Sequence, residues 1–108
     1  MPIAALNSLG PTDVFVHLEE RGPVGPTGGG FAERPERFAD ELVGIDEGTD
    51  AWACIDEDQR ADIGVLRWID FQDHGRGLYL LVAIGTGATS STLASTAAAL
   101  ESLVIDRR

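Results

Sequence analysis

At 108 residues the chain has the length of one small domain, able to bury a single core without metal or disulfide support. Eighteen acidic residues against eight basic ones give a net charge of −10, which repels nucleic-acid phosphates and anionic membranes at long range. Every basic residue is arginine, so a Schiff-base lysine and a phosphate-loop lysine are both excluded.

The lone Cys54 cannot form an intrachain disulfide and suits a reducing compartment. The opening MPIAALNSLGP lacks the basic region and long apolar stretch of a secretion signal. No apolar run approaches the ~20 residues of a membrane span. A cytoplasmic protein is therefore expected.

In chain order, residues 2–9 read as a short helix or extended arm stopped by Gly10-Pro11. Residues 13–20, DVFVHLEE, read as a strand with Val14, Val16 and Leu18 on one side and Phe15 and His17 on the other. Residues 21–30 are a Gly/Pro-rich loop. A helix is expected over 33–45, with Pro35 in its first turn and Phe38, Leu42 and Ile45 as its apolar stripe. Strands follow at 51–56, 63–71 and 78–84, the last two joined by a hairpin loop at 72–77. A final helix spans 90–105, with Leu93, Ala97, Leu100 and Val104 on one stripe. The fold class is α+β: a single four- or five-stranded, mainly antiparallel sheet with helices packed on one face, in the order (short α)-β-α-β-β-β-α.

Gly85-x-Gly87-x-x-Ser90 follows a strand and opens a helix, the setting of many phosphate sites. It lacks the third glycine and the βαβ context of a dinucleotide fingerprint, and it has no Gly-Lys pair. The glycines are read as allowing a sharp turn. The hydroxyls of Thr89, Ser90, Ser91 and Thr92 are read as caps for the helix.

Asp56-Glu57-Asp58 resembles the start of a calcium loop. Arg60 then stands at the fifth position, Ala61 where glycine is needed and Arg67 at the closing acid. It reads as a solvated acidic turn, and these three residues are the candidate contact for a basic partner. His17, His74 and Cys54 are isolated and have no zinc spacing. Asp73-His74 reads as loop polarity and His17 as a half-buried, hydrogen-bonded side chain. Pro2 would expose a proline amine once Met1 is removed, but Gly10-Pro11 interrupts the strand that such chemistry begins with. No catalytic residue, metal or cofactor is implied.

Each strand carries apolar residues on both parities. One row is aliphatic; the other holds Phe15, Trp52, Leu66, Trp68, Tyr79 and Leu81, with His17. Four strands at ~4.8 Å span roughly 19 Å, about the width of two helices, so helices on one face leave the aromatic face bare. A second subunit is the first expected cover, a small hydrophobic ligand the second, and the N-terminal arm the third. Two functions follow. The first is a non-enzymatic homodimeric protein-binding module, immunity-, chaperone- or scaffold-like, taking a basic toxin or an export client. The alternative is a small-molecule binding domain, enzymatic or not, in which Trp52, Trp68 and Tyr79 line a pocket and His17 is its polar group.

Overall fold

In the computed structural model the described residues are 3–23 and 31–103. The run LYLLVAI is apolar on both parities because its strand, β4 (Arg76–Gly85), lies at the centre of the sheet and is buried on both faces. It forms an antiparallel hairpin with β3 (Ile63–Asp73). His74 (φ 51°) and Gly75 (φ 77°) make the tight turn, both in the left-handed region that two-residue hairpins require. On the other side β4 pairs antiparallel with β1 (Val14–Pro23), Val14 lying opposite Ile84 and Leu18 opposite Leu80. The two-residue β2 (Ala32–Glu33) adds parallel to β3, so the sheet order is β1-β4-β3-β2. The α+β class and the mainly antiparallel four-stranded sheet agree with the sequence pattern.

Both faces are covered by the chain's own elements. On the aliphatic face Ile69, Phe71, Leu80, Val82 and Ile84 pack against Ala97 and Leu100 of α4 (Ser90–Glu101) and against Phe38. On the aromatic face Leu66, Tyr79, Leu81 and Ala83 lie with Leu6 and Leu9 of the N-terminal segment and with Ala51 and Ile55. That segment contains α1 (Ile3–Leu6); Ala51 belongs to α2 (Asp50–Ala53), which α3 (Glu57–Arg60) follows. Two rows are present along β1, β4 and β3 from Val65 onward, while Ile55 and Ile63, read from sequence as aliphatic-row residues, lie on the aromatic face, Ile63 beyond a register shift in β3. The expected placement of helices on one face alone is corrected: the N-terminal segment and α2 close the other.

Two elements differ from the sequence expectation. Residues 33–45 hold only a 3-10 turn, Phe38–Glu41. Phe38 and Leu42 pack on the aliphatic face, whereas Ile45 bridges Leu66 and packs on the aromatic one. The segment wraps from one face to the other, which a straight helix cannot do. Residues 51–56 are not a strand but begin in α2, capped by Thr49, whose Oγ1 accepts from the Trp52 N–H. Ala51 and Ile55 alternate as in a strand, yet Ala51 lies in α2 and Ile55 just beyond its Cys54 cap, and the turn brings both to the aromatic face. Elsewhere Arg21–Pro23 continue β1, while the rest of the Gly/Pro-rich loop lies outside the described residues. The last helix ends at Glu101, and Val104 of its expected stripe lies outside the described residues.

Candidate functional site

β4 pairs on both sides and β2 lies beside β3, but among the described residues no strand pairs with the outer edge of β1. The Asp13 carbonyl accepts from the Gly85 N–H at 2.9 Å, which fixes the orientation of the strand as far as Glu20, where the register shifts. Odd-numbered residues aim their backbone groups at β4, and Val14, Val16 and Leu18 aim theirs outward. A long, unpaired edge is a template for another strand.

Beside that edge runs an apolar groove of about 390 Å³. Its floor is Val14, Val16 and Leu18 of β1; its wall is Ser95, Thr96, Ala99 and Leu100 of α4, with Leu103 beyond. α4 is rich in alanine, serine and threonine, so the side it turns to β1 carries short side chains that cannot span the gap. Val16 consequently stays 43% exposed, one of two large hydrophobic side chains classed as exposed among the described residues. Among the described residues no charged side chain lines the groove, although the chain carries −10. Sequence reasoning placed the open face on the aromatic side and missed this groove. Its signal was present: a valine–valine–leucine row facing a helix of small residues.

The aromatic residues singled out by sequence do come together. Trp68 stacks on Tyr79, Phe15 stacks with His17, and the His17 ring centroid lies 5.6 Å from that of Tyr79. Arg21 lies over the Tyr79 ring at 4.2 Å, and Arg60 over Trp52 at 4.9 Å. Leu66, Tyr79 and Leu81 are fully buried within the chain; Phe15, His17, Trp52 and Trp68 are half-buried. The expected bare aromatic face is thus occupied by the N-terminal segment and α2, the third of the covers considered. Burial, and then the neighbouring Glu19 carboxylate, push the Tyr79 hydroxyl above its ordinary range; the hydrogen bond from Tyr79, followed by that from His17, holds Glu19 below its own.

Asp56, Glu57 and Asp58 are exposed at the start of α3, where carboxylates favour a helix N-terminus. The Asp56 N–H donates to Asn7 Oδ1 at 2.9 Å, tying this turn to the N-terminal segment. His74 Nδ1 lies 2.9 Å from Asp73 Oδ1, while the other Asp73 oxygen accepts from Arg34, so the pair braces the hairpin end. Among the described residues no group of three or more His, Cys, Asp or Glu side chains is placed to hold a metal. Cys54 is an exposed thiol. Pro2 lies outside the described residues.

The Gly85-x-Gly87 turn is turned inward. The Gly87 N–H donates to the Pro11 carbonyl at 2.7 Å, and Thr89 Oγ1 caps α4 by accepting from the Thr92 N–H. These groups serve the chain itself.

The fold and site together define a small α+β domain in which, among the described residues, an uncharged groove runs along a sheet edge that no strand pairs. No family model, curated protein or solved structure matches the chain. Among the described residues no helix is long and apolar enough to cross a membrane.

Proposed function

We propose that the chain is a non-enzymatic, homodimeric protein-binding module whose acidic surface takes a basic protein partner. The observation that carries this is the groove beside the outer edge of β1: among the described residues the groove is uncharged and the edge pairs with no strand, on a domain whose sheet faces are otherwise covered. Such a patch suits contact with another polypeptide. The exposed Asp56-Glu57-Asp58 turn supplies charge for steering, which acts mostly on association rate. Native mass spectrometry at micromolar concentration tests it: a mass of two chains without a retained small molecule is expected, and a bare monomer overturns it.

The groove volume, about 390 Å³, also favours a second function, the binding of a small hydrophobic molecule. Among the described residues its only polar side chains are the Ser95 and Thr96 hydroxyls, so an aliphatic ligand is the class it would take. The same spectrum separates the two, because a monomer with added mass would identify the ligand binder.

A further inference from the structure

We infer that the pocket lined by Gly48, Thr49, Asp50, Trp68 and Asp70 seats an arginine side chain of the basic protein partner; this rests on the partner reading proposed above. The pocket holds about 350 Å³ and lies between the start of α2 and the middle of β3. Strand alternation puts Trp68 and Asp70 on the same face of β3, and Trp68 Nε1 donates to Asp70 Oδ1 at 3.1 Å. Asp50 comes from the other wall, one residue past the Thr49 cap.

Both carboxylates of this pocket lack a cation. Among the described residues the Asp50 carboxylate has no hydrogen bond or ion pair, and the Asp70 carboxylate accepts only from the indole. Other acids of the chain are neutralised by its own arginines: Asp46 by Arg67, Asp73 by Arg34 and Glu20 by Arg76. The rings show the same asymmetry. Arg21 lies over Tyr79, Arg34 over Phe38 and Arg60 over Trp52. Tyr79 covers one face of Trp68, and among the described residues no cation lies over its indole. Trp68 thus has the two carboxylates beside it and no arginine on it.

That combination selects a guanidinium. Exposed carboxylates alone hold a cation weakly, because water screens them. The indole adds a surface on which a planar, weakly hydrated guanidinium stacks, and the carboxylates are acceptors for its five N–H donors. A lysine ammonium is more strongly hydrated and does not stack. Among the described residues no group of three or more His, Cys, Asp or Glu is placed for a metal, so two carboxylates and a ring suit an organic cation instead. The Asp56-Glu57-Asp58 turn steers a partner by charge, whereas this pocket adds contact geometry, and arginine is a residue on which interface energy concentrates.

The probe is the blocked peptide acetyl-Gly-Arg-Gly-amide, titrated into the native chain while the Trp68 indole N–H is followed by NMR. Trp52→Phe assigns which of the two indole signals belongs to Trp68. That signal should move and saturate, and the lysine counterpart of the peptide should bind at least about threefold more weakly. Asp50→Asn combined with Asp70→Asn should weaken the arginine peptide by about tenfold, as for lost hydrogen bonds to charged groups. Both side chains are exposed, so circular dichroism should not change. If the double variant fails to fold, Asp50→Asn alone decides, because that carboxylate has no partner among the described residues to lose. Asp56→Asn with Asp58→Asn removes the same charge elsewhere and should change the affinity by less than about twofold, since exposed charges are screened. Equal weakening by the two double variants, or an unmoved Trp68 signal, overturns the pocket and spares the basic partner. A Trp68 signal that moves on dilution without peptide gives the pocket to a second copy and overturns the partner arginine. An oligoarginine peptide run in parallel that shows no salt-sensitive binding to the native chain overturns both the pocket and the basic partner.

Discussion

Trp68 and Tyr79 stack with ring centroids 4.7 Å apart and planes 13° from parallel. They sit diagonally on neighbouring strands, Trp68 opposite Leu81 and Tyr79 opposite Asp70. Trp68 is half-buried and also donates from Nε1 to Asp70 at 3.1 Å. Trp68→Ala should destabilise the fold by about 3 kcal/mol, the range for removing a large packed ring. Urea denaturation measures this. Because the stack lies away from the free edge of β1, sedimentation of the folded variant should show no change in subunit number. A folded monomer would instead put Trp68 at the subunit contact.

Tyr79 is the only tyrosine in the chain, so phenolate absorbance reports it alone. Burial first, and Glu19 second, raise its ionisation above the ordinary value of 10.0. A raised value means that the folded state holds its proton longer than the unfolded state. The associated stability is complete below the unfolded value and is lost as pH rises through the folded one. Phenolate should therefore appear late and together with unfolding. Glu19 shifts the other way, from an ordinary 4.5, chiefly through its hydrogen bond with Tyr79. Its contribution is present above 4.5 and is lost as pH falls through the folded value. Tyr79→Phe should relax the Glu19 shift toward the ordinary value, which carboxyl titration by NMR detects.

The parts of this fold legible in sequence are those with one physical solution. Leu78–Ile84 is too continuous in apolar character for anything but a doubly covered strand, and Asp73-His74-Gly75 suits a tight turn. Thr89 is where a cap must be once Gly85 and Gly87 have ended the strand. The ambiguous stretches have two solutions. Ala51 and Ile55 satisfy strand and helix spacing alike, and only the packing of Ala51 beside Leu6 and Leu81 selects the helix. Phe38, Leu42 and Ile45 have helical spacing but serve two different faces, which no periodicity reveals. The groove depends on where α4 comes to rest across the sheet, a relation between elements rather than a property of either.

Arg34 joins three elements from its place beside β2. Its Nη1 donates to Asp73 at 2.9 Å, and Nη2 donates to the carbonyls of Leu100 and Glu101 at 3.1 and 3.3 Å. The last turn of α4 has no basic residue of its own, so this guanidinium supplies the cation that a helix C-terminus favours. Arg34→Ala should cost about 1–3 kcal/mol, as for charge-assisted hydrogen bonds at a partly buried site. Hydrogen exchange should quicken first in the last turn of α4. Arg34→Lys should recover only part of the protection, because one ammonium cannot reach the carboxylate and both carbonyls in the same planar geometry.

The last prediction concerns Gly85, where the glycine is required by close approach. The turn at Gly10-Pro11 lies directly against it: a Cβ at Gly85 would stand 2.2 Å from the Pro11 oxygen and 2.6 Å from the Gly10 oxygen. Those atoms are backbone and cannot swing aside as the end of a side chain could. Gly85→Ala must therefore push the turn out of position, disturbing the Asp13–Gly85 and Pro11–Gly87 hydrogen bonds and the seating of Leu6 and Leu9 on the aromatic face. A loss of about 2–4 kcal/mol is expected, the range of severe overpacking. Gly87→Ala is the control, because its Cβ would lie 3.2 Å from the Pro11 oxygen, a gap that a small shift relieves. It should cost clearly less in thermal melting. A phosphate-binding role for the glycine pair predicts a different pattern: both alanine variants would keep the melting temperature and lose a phosphate-induced stabilisation of the native chain. Melting the native chain and the two variants with and without inorganic phosphate separates these outcomes, and the packing role fails if Gly85→Ala melts like the native chain.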